Sequence, residues 1–337
     1  MRVCVAGAGY FAKQHHAAWR RLENVQVAGV ADLDAERARA AARGLGAEVF
    51  ADVAAMLDGC RPDLLDIAAP PDAHLSLIRL AASRGVDVVC QKPFCGGLAG
   101  ARDAVAVAQA AGIRLVVHEN VRFQPWYAAI ADELEPCGAP LFQATFRLRP
   151  GDGWGPDAYL ARQPYFRTME RFLVHETLVH WIDTFRWLFA GEGEVRAVWA
   201  DLRRINPAIA GEDAGLVVLE FASGFRGVLD ANRCADHAAA DRRRTMGELL
   251  IEGGGWELAL DGDAALRIRS GRTWRTVEYD WDDVGFGGDC VFRFQSRLAE
   301  CLRTGRGMPN EGRDCLRNLE IVEAVYRSAA QGRRVSV

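Results

Sequence analysis

Over the first 120 positions, apolar residues come in short unbroken runs separated by alanine-rich amphipathic stretches. The runs are Arg2–Ala6, Gln26–Ala31, Leu64–Ala68, Asp87–Cys90 and Arg114–Val117. Continuous rather than alternating apolar character marks strands buried on both faces, and helical stretches between them predict a doubly wound parallel sheet. After Phe123 the texture changes. Longer segments rich in Val, Phe, Arg and Trp, at Leu141–Arg149, Val195–Arg203, Leu216–Phe221 and Arg226–Asn232, predict a large, mainly antiparallel open sheet with one polar face. Turns at Ala222–Gly224 and Glu252–Gly255 suit hairpins. A helix over 172–190 is apolar nearly all round and should be buried. An amphipathic helix over Arg313–Gln331 and a short strand close the chain. The pattern predicts two domains, α/β over 1–122 and α+β over 123–337, with the last helix able to pack back on the first.

The first strand runs directly into Gly7-Ala8-Gly9-Tyr10-Phe11-Ala12, the G-x-G-x-x-A form of the dinucleotide-binding turn. In such a turn the first glycine permits the tight bend and the second lets backbone approach a pyrophosphate. The small third residue lets the helix pack closely, with its N-terminus toward the phosphates. Twenty residues beyond Ala12, the second strand ends at Asp32. A carboxylate there accepts hydrogen bonds from the ribose hydroxyls and repels a 2′-phosphate, which favours NAD over NADP. Asp32 could instead cap the next helix, a role for which Asp34 competes. The first domain is thus expected to be a Rossmann domain.

Composition narrows the partners. The chain has 337 residues, 50% hydrophobic and 26% charged, with a net charge of −4, which describes a soluble globular protein without the basic footprint of nucleic-acid binding. No charged leader with an apolar core and no apolar run of transmembrane length is visible, so the expectations are no membrane and a cytoplasmic location. Nine cysteines without C-x-x-C pairs suggest reduced thiols and no metal.

Two further segments carry a family resemblance. Ile67-Ala-Ala-Pro70-Pro71-Asp-Ala-His74 and Val88-Val-Cys-Gln91-Lys92-Pro93-Phe94 resemble sheet-edge loops of the glucose-fructose oxidoreductase and inositol dehydrogenase (Gfo/Idh/MocA) family, as do Arg122-Phe123 and Glu176-x-x-x-His180-x-x-Asp183. Nearly the whole chain is covered. Two positions depart from the family pattern: Gln91 stands where glutamate is usual, and Glu176 where aspartate is common. The resemblance implies hydride transfer between a secondary alcohol of a sugar, polyol or sugar derivative and the nicotinamide. It places Lys92 beside nicotinamide and substrate, puts Arg122 on the substrate side, and implies a homodimer or homotetramer through the open second sheet. Redox-neutral chemistry on retained NAD (epimerisation, elimination or glycoside cleavage) and a non-catalytic dinucleotide sensor also occur in the family.

The residues themselves fit that chemistry. A desolvated lysine such as Lys92 can take the hydroxyl proton or orient the hydroxyl, and Pro93 biases it away from helical geometry at a strand end. Gln91 could bond a ribose or the lysine, and Pro70 and His74 could approach the nicotinamide end. With about 3.6 residues per turn, Glu176, His180 and Asp183 share one helix face, where His180 could exchange the proton and the carboxylates could bind hydroxyls. His175 and His180 are one residue too far apart for a zinc H-E-x-x-H pair, being about 140° apart on a helix. The loop 151–171 holds Trp154, Tyr159, Arg162, Tyr165, Phe166, Arg167 and Arg171; it could lid a carbohydrate pocket, with Tyr165 and Arg167 on the substrate, or pack at a subunit contact.

Overall fold

The computed structural model describes residues 1–135, 138 and 140–337. Its first 120 residues alternate strand and helix in order: β1 (Arg2–Ala6), α1 (Ala12–Arg20), β2 (Gln26–Ala31), α2 (Ala35–Leu45), β3 (Glu48–Phe50), α3 (Val53–Cys60), β4 (Leu64–Ile67), α4 (Pro71–Ala82), β5 (Asp87–Cys90), α5 (Leu98–Ala111) and β6 (Leu115–Val117). The six strands lie in the order β3-β2-β1-β4-β5-β6, all parallel, which is the Rossmann arrangement with its ligand crevice at the carboxyl ends of β1 and β4. β4 is buried throughout and β1 over Val3–Ala6, as the unbroken apolar runs require. Strand β3 escaped the sequence reading because its three residues, Glu-Val-Phe, are too few and too exposed to show a pattern.

The remaining elements are α6 (Pro125–Leu134), β7 (Leu141–Leu148), a π-helical turn Leu173–Leu178, α7 (Val179–Leu188), β8 (Val195–Arg203), β9 (Ala214–Phe221), β10 (Arg226–Asn232), β11 (Gly247–Gly253), β12 (Trp256–Leu260), β13 (Leu266–Ser270), β14 (Thr273–Val277), α8 (Cys290–Thr304), α9 (Gly312–Gln331) and β15 (Val335–Ser336). Nine strands form a second sheet in the order β14-β13-β12-β11-β7-β10-β9-β8-β15. Only β7 and β10 pair in parallel; every other neighbour is antiparallel. Burial alternates along β10 and β12, so one face meets a core of residues such as Phe146, Trp181, Phe185 and Leu229, as in one-sided antiparallel sheets.

By contacts the chain forms two compact units, Met1–Asn120 with Cys290–Leu319, and Val121–Asp289 with Glu320–Val337. Residues 290–319, grouped with the second domain by the sequence reading, therefore belong to the first: Cys315 and Leu319 join its core, and Asn120 Nδ2 donates to Cys290 Sγ at 3.0 Å. The expected straight helix over 172–190 is instead the π turn followed by α7, starting at Leu173 and ending at Leu188. Among the described residues no helix is long and apolar enough to cross a membrane.

Candidate functional site

In the first unit, β1 ends at a turn with two dissimilar glycines. Gly7 has φ +117°, and a Cβ there would lie 2.5 Å from the Ala68 carbonyl oxygen, so close approach to the end of β4 demands glycine. At Gly9 an added Cβ would meet no protein atom within 4 Å. Nothing in the protein calls for glycine there, and the open space over it is a cradle that a side chain would fill. Ala12 is buried, Phe11 at the α1 N-cap makes no side-chain capping bond, and Tyr10 is exposed. Such a helix start, beside a glycine cradle, fits a pyrophosphate.

Asp32 closes the turn from β2. Its Oδ2 accepts from the Ala8 amide at 2.6 Å and its Oδ1 from the Asp34 amide at 2.8 Å. The alternative of Asp32 as helix cap falls away, since Asp34 caps α2 by accepting from Glu36 and Arg37 amides at 3.0 and 3.1 Å. A half-exposed carboxylate tied to the glycine turn suits a ribose. Directly after it, Leu33 is fully exposed.

The Lys92 loop leaves β5. Gln91 is buried, and both ends of its amide are engaged: Oε1 accepts from the Lys92 backbone N–H at 2.6 Å and Nε2 lies 2.8 Å from His15 Nε2. His15 Nδ1 in turn lies 2.9 Å from Asp66 Oδ2, which also accepts from Trp19 Nε1 at 2.7 Å. With Asp66 taking the Nδ1 proton, His15 Nε2 is the acceptor for the Gln91 amide. Gln91 therefore braces the loop from within, bonding the lysine's backbone, one of the two partners expected of it. Lys92 is half-buried. His74 has no exposed surface and its Nε2 donates to the Ala69 carbonyl at 2.9 Å, so it helps shape the loop before α4. Pro70, at the α4 N-cap, is exposed. His15 and Asp66 were not legible in the sequence, because neither carries a motif.

In the second unit, the chemistry clusters on the π turn. Its start is held by Glu212, whose backbone carbonyl accepts from Leu173 N at 3.1 Å and whose Oε1 accepts from the Tyr326 hydroxyl at 2.5 Å. Burial, reinforced by the Glu212 carboxylate, pushes the Tyr326 hydroxyl's pKa up, so it stays a donor. Glu176 is buried. Its Oε2 accepts from Thr177 Oγ1 at 2.8 Å and lies 3.8 Å from Arg233 Nη1, which donates to that same hydroxyl oxygen at 2.5 Å. Arg233 is almost wholly buried, paired with Asp152 at 2.7 Å and enclosed by the rings of Tyr159, Phe166 and Phe172 at 4.9–5.4 Å. Burial opposes its charge, but Asp152 and its other neighbours hold its pKa above the ordinary value. Sequence reasoning missed Arg233 because a lone arginine at the end of a strand has no signature.

The expected single stripe of Glu176, His180 and Asp183 is broken, since α-helical spacing does not carry through a π turn. Glu176 faces Arg233, while Asp183 pairs with Arg122 Nε at 2.6 Å and with its Nη2. Arg122 and Asp183 compensate each other in a buried two-pronged ion pair. His180 is half-buried. The angular argument against zinc at His175 and His180 loses its basis for the same reason; among the described residues, ligand-type side chains gather in the first unit, at His74, Cys90 and Cys95.

The loop 151–171 folds on itself. Phe166 is buried against Tyr159 and Phe172, and Arg167 Nη1 donates to the Pro156 carbonyl at 2.5 Å, so Arg167 binds its own loop's backbone where a substrate contact was expected. Tyr165 is exposed and its hydroxyl accepts from Gln163 Nε2 at 3.0 Å.

A nucleotide with two phosphates and an unmodified ribose fits the first unit, which sets the chain among the NAD-dependent oxidoreductases. Comparison with known proteins agrees: residues 1–119 match the model of an oxidoreductase family with NAD-binding Rossmann fold, and residues 144–249 match the GFO/IDH/MocA C-terminal domain. The chain belongs to the Gfo/Idh/MocA oxidoreductase family. It is 36% identical to a D-apiose dehydrogenase of Paraburkholderia graminis over 98% of its own length and 88% of that protein's. It is 29% identical to an inositol 2-dehydrogenase of Saccharopolyspora erythraea over 66% of its length and 64% of that protein's. Among solved structures, an Agrobacterium radiobacter oxidoreductase in complex with NAD+, L-tartaric acid and magnesium matches with a TM-score of 0.89 and 27% identity, covering 100% of this chain and 98% of that one.

Proposed function

We propose that the chain oxidises a secondary alcohol of a small sugar, D-apiose or a sugar of similar size, reversibly. The observation that carries the substrate class is the 36% identity to a D-apiose dehydrogenase across nearly the full length of both chains. NAD, when bound, supplies the hydride acceptor. The glycine cradle at Gly9 and the α1 N-terminus hold its phosphates, Asp32 its ribose hydroxyls, and exposed Leu33 offers an apolar surface to the adenine. Lys92 takes the proton of the reacting hydroxyl as the hydride leaves, and the brace Asp66–His15–Gln91 keeps the Lys92 backbone in place. His180 exchanges a proton with a substrate hydroxyl. Glu176, oriented by Thr177 and Arg233, accepts a hydrogen bond from a substrate hydroxyl and thereby favours a polyhydroxylated substrate over a simple alcohol.

Exposed Phe142, Trp199, Leu216 and Trp274 on the second sheet support self-association through that sheet, checked by light scattering. None of the eight described cysteines is in a disulfide among the described residues, which supports a reducing compartment. The test of the reaction is NADH absorbance with NAD or NADP against D-apiose, other pentoses, inositols and sugar acids. NADH formed with apiose or another small sugar supports the proposal. NAD retained by the purified protein with no net NADH from any sugar would sink it.

A further inference from the structure

The first unit holds one cluster of chemistry-bearing side chains that hydride transfer does not use. One ligand atom from each of His74, Cys90 and Cys95 lies within 4.8 Å of the others. His74 and Cys90 have no exposed surface. Cys95 is half-buried, so the cluster has a side from which an ion can enter. The imidazole is set as metal-binding imidazoles are set: Nε2 donates to the Ala69 carbonyl at 2.9 Å, which fixes the tautomer and leaves the Nδ1 lone pair as the available donor atom. That Nδ1 is buried without a hydrogen bond of good geometry, the Pro93 backbone lying near the ring, although buried polar atoms are nearly always paired. Cys90 and Cys95 are close enough to hydrogen-bond each other. Cys95 sits at φ +51°, in the left-handed region that a residue with a side chain rarely adopts.

We propose that His74, Cys90 and Cys95 form a binding site for one thiophilic cation, Zn²⁺. Two thiolates and one imidazole select zinc or cuprous copper over magnesium or calcium, which need oxygen donors. Both thiols release their protons to solvent on binding, and a water entering beside Cys95 completes a four-coordinate zinc. The two cysteines bracket Gln91, Lys92, Pro93 and Phe94, so the ion ties together both ends of the segment that carries Lys92. If Lys92 acts as proposed above, occupancy changes turnover; the binding itself does not depend on that reading.

The experiment uses the full chain, reduced and stripped of metal, without NAD or sugar. Zinc is titrated in competition with a chromophoric chelator, and cadmium is used separately to read thiolate-to-metal charge-transfer absorbance. The expected result is one zinc per chain and a higher melting temperature on binding. Cys95→Ser, at a half-buried position that tolerates it, should weaken binding at least tenfold and remove part of the cadmium band. Cys234→Ser, at a half-buried thiol outside the cluster, should change neither. Failure of the wild type to compete for zinc, undiminished binding by Cys95→Ser, or loss of binding in Cys234→Ser would each overturn the proposal. So would tight binding of cuprous copper with none of zinc, which would name a different ion.

Discussion

The two glycines of the first turn allow cofactor binding to be separated from folding by single methyl groups. At Gly9 a Cβ meets no protein atom within 4 Å and φ lies outside the left-handed region. Gly9→Ala should therefore leave the empty protein as stable as before, or raise stability by about 0.4–1 kcal/mol because the unfolded chain loses freedom. The same methyl occupies the space that the pyrophosphate needs. Displacing the phosphates from even one charge-assisted hydrogen bond costs about 1.5–3 kcal/mol, roughly a ten- to hundredfold weaker NAD affinity. Gly7→Ala should behave in the opposite way. Its Cβ lies 2.5 Å from the Ala68 carbonyl oxygen and 2.7 Å from the carbonyl carbon, at φ +117°, so backbone must move and the melting temperature falls with no cofactor present. The assay is a thermal melt of each empty variant beside a fluorescence titration with NADH. A Gly9→Ala protein that binds NADH like the wild type, or that melts several degrees lower when empty, would refute the assignment of that cradle.

Four further outcomes are expected. Lys92→Ala should lower turnover by about a hundredfold or more, the usual range for a proton-transfer group, with the NAD dissociation constant nearly unchanged; equal losses in both would count against a catalytic role. Asp32→Ala should weaken NAD more than NADP, read from the ratio of the two Michaelis constants, and an unmoved ratio would remove the ribose assignment. Arg233→Met leaves Glu176 and Asp152 without their buried partner and should cost about 3–5 kcal/mol in urea unfolding; a loss below about 1 kcal/mol would show that the cluster relaxes around the gap. Asp152 resists ionisation through burial, but the charges and hydrogen bonds of Arg233 and Arg162 outweigh this and hold its carboxyl below the ordinary carboxylate value. The stability it contributes is thus present above the unfolded value of about 3.9 and lost as pH falls through the depressed folded one. Asp152→Asn should melt lower at neutral pH and lose less on acidification, and parallel melting curves across that range would disprove the coupling.

Much of the dinucleotide half could be read in advance because its requirements are local. A buried parallel strand must be apolar throughout, a tight turn must be glycine, and the acidic residue must follow at a fixed distance, so Gly7, Gly9 and Asp32 sit in one stretch of sequence. The second half resisted because its requirements are distant. Glu176 depends on Arg233 fifty-seven positions on, and Arg122 and Asp183 find each other across sixty-one. The π turn defeated the helical wheel, since one local change of pitch reassigns every face after it. His74 resisted for another reason: a histidine behind two prolines at a strand end has the address of a cofactor-side residue, and neither its complete burial nor its bond to the Ala69 carbonyl is legible in the sequence.

The brace behind Lys92 has a consequence for how position 91 can vary. His15 donates a hydrogen bond from Nδ1 to Asp66 and accepts one at Nε2 from the Gln91 amide. An ionised glutamate at position 91 would bring an acceptor against His15 Nε2 where the amide brings a donor. Positions 15, 66 and 91 therefore form one hydrogen-bond chain in which the donor at 91 is supplied by an amide and would be missing from an ionised carboxylate. Exchanging the amide for a carboxylate in this chain therefore touches the whole buried chain of bonds behind Lys92, and the fit of position 91 is set by what stands at 15 and 66.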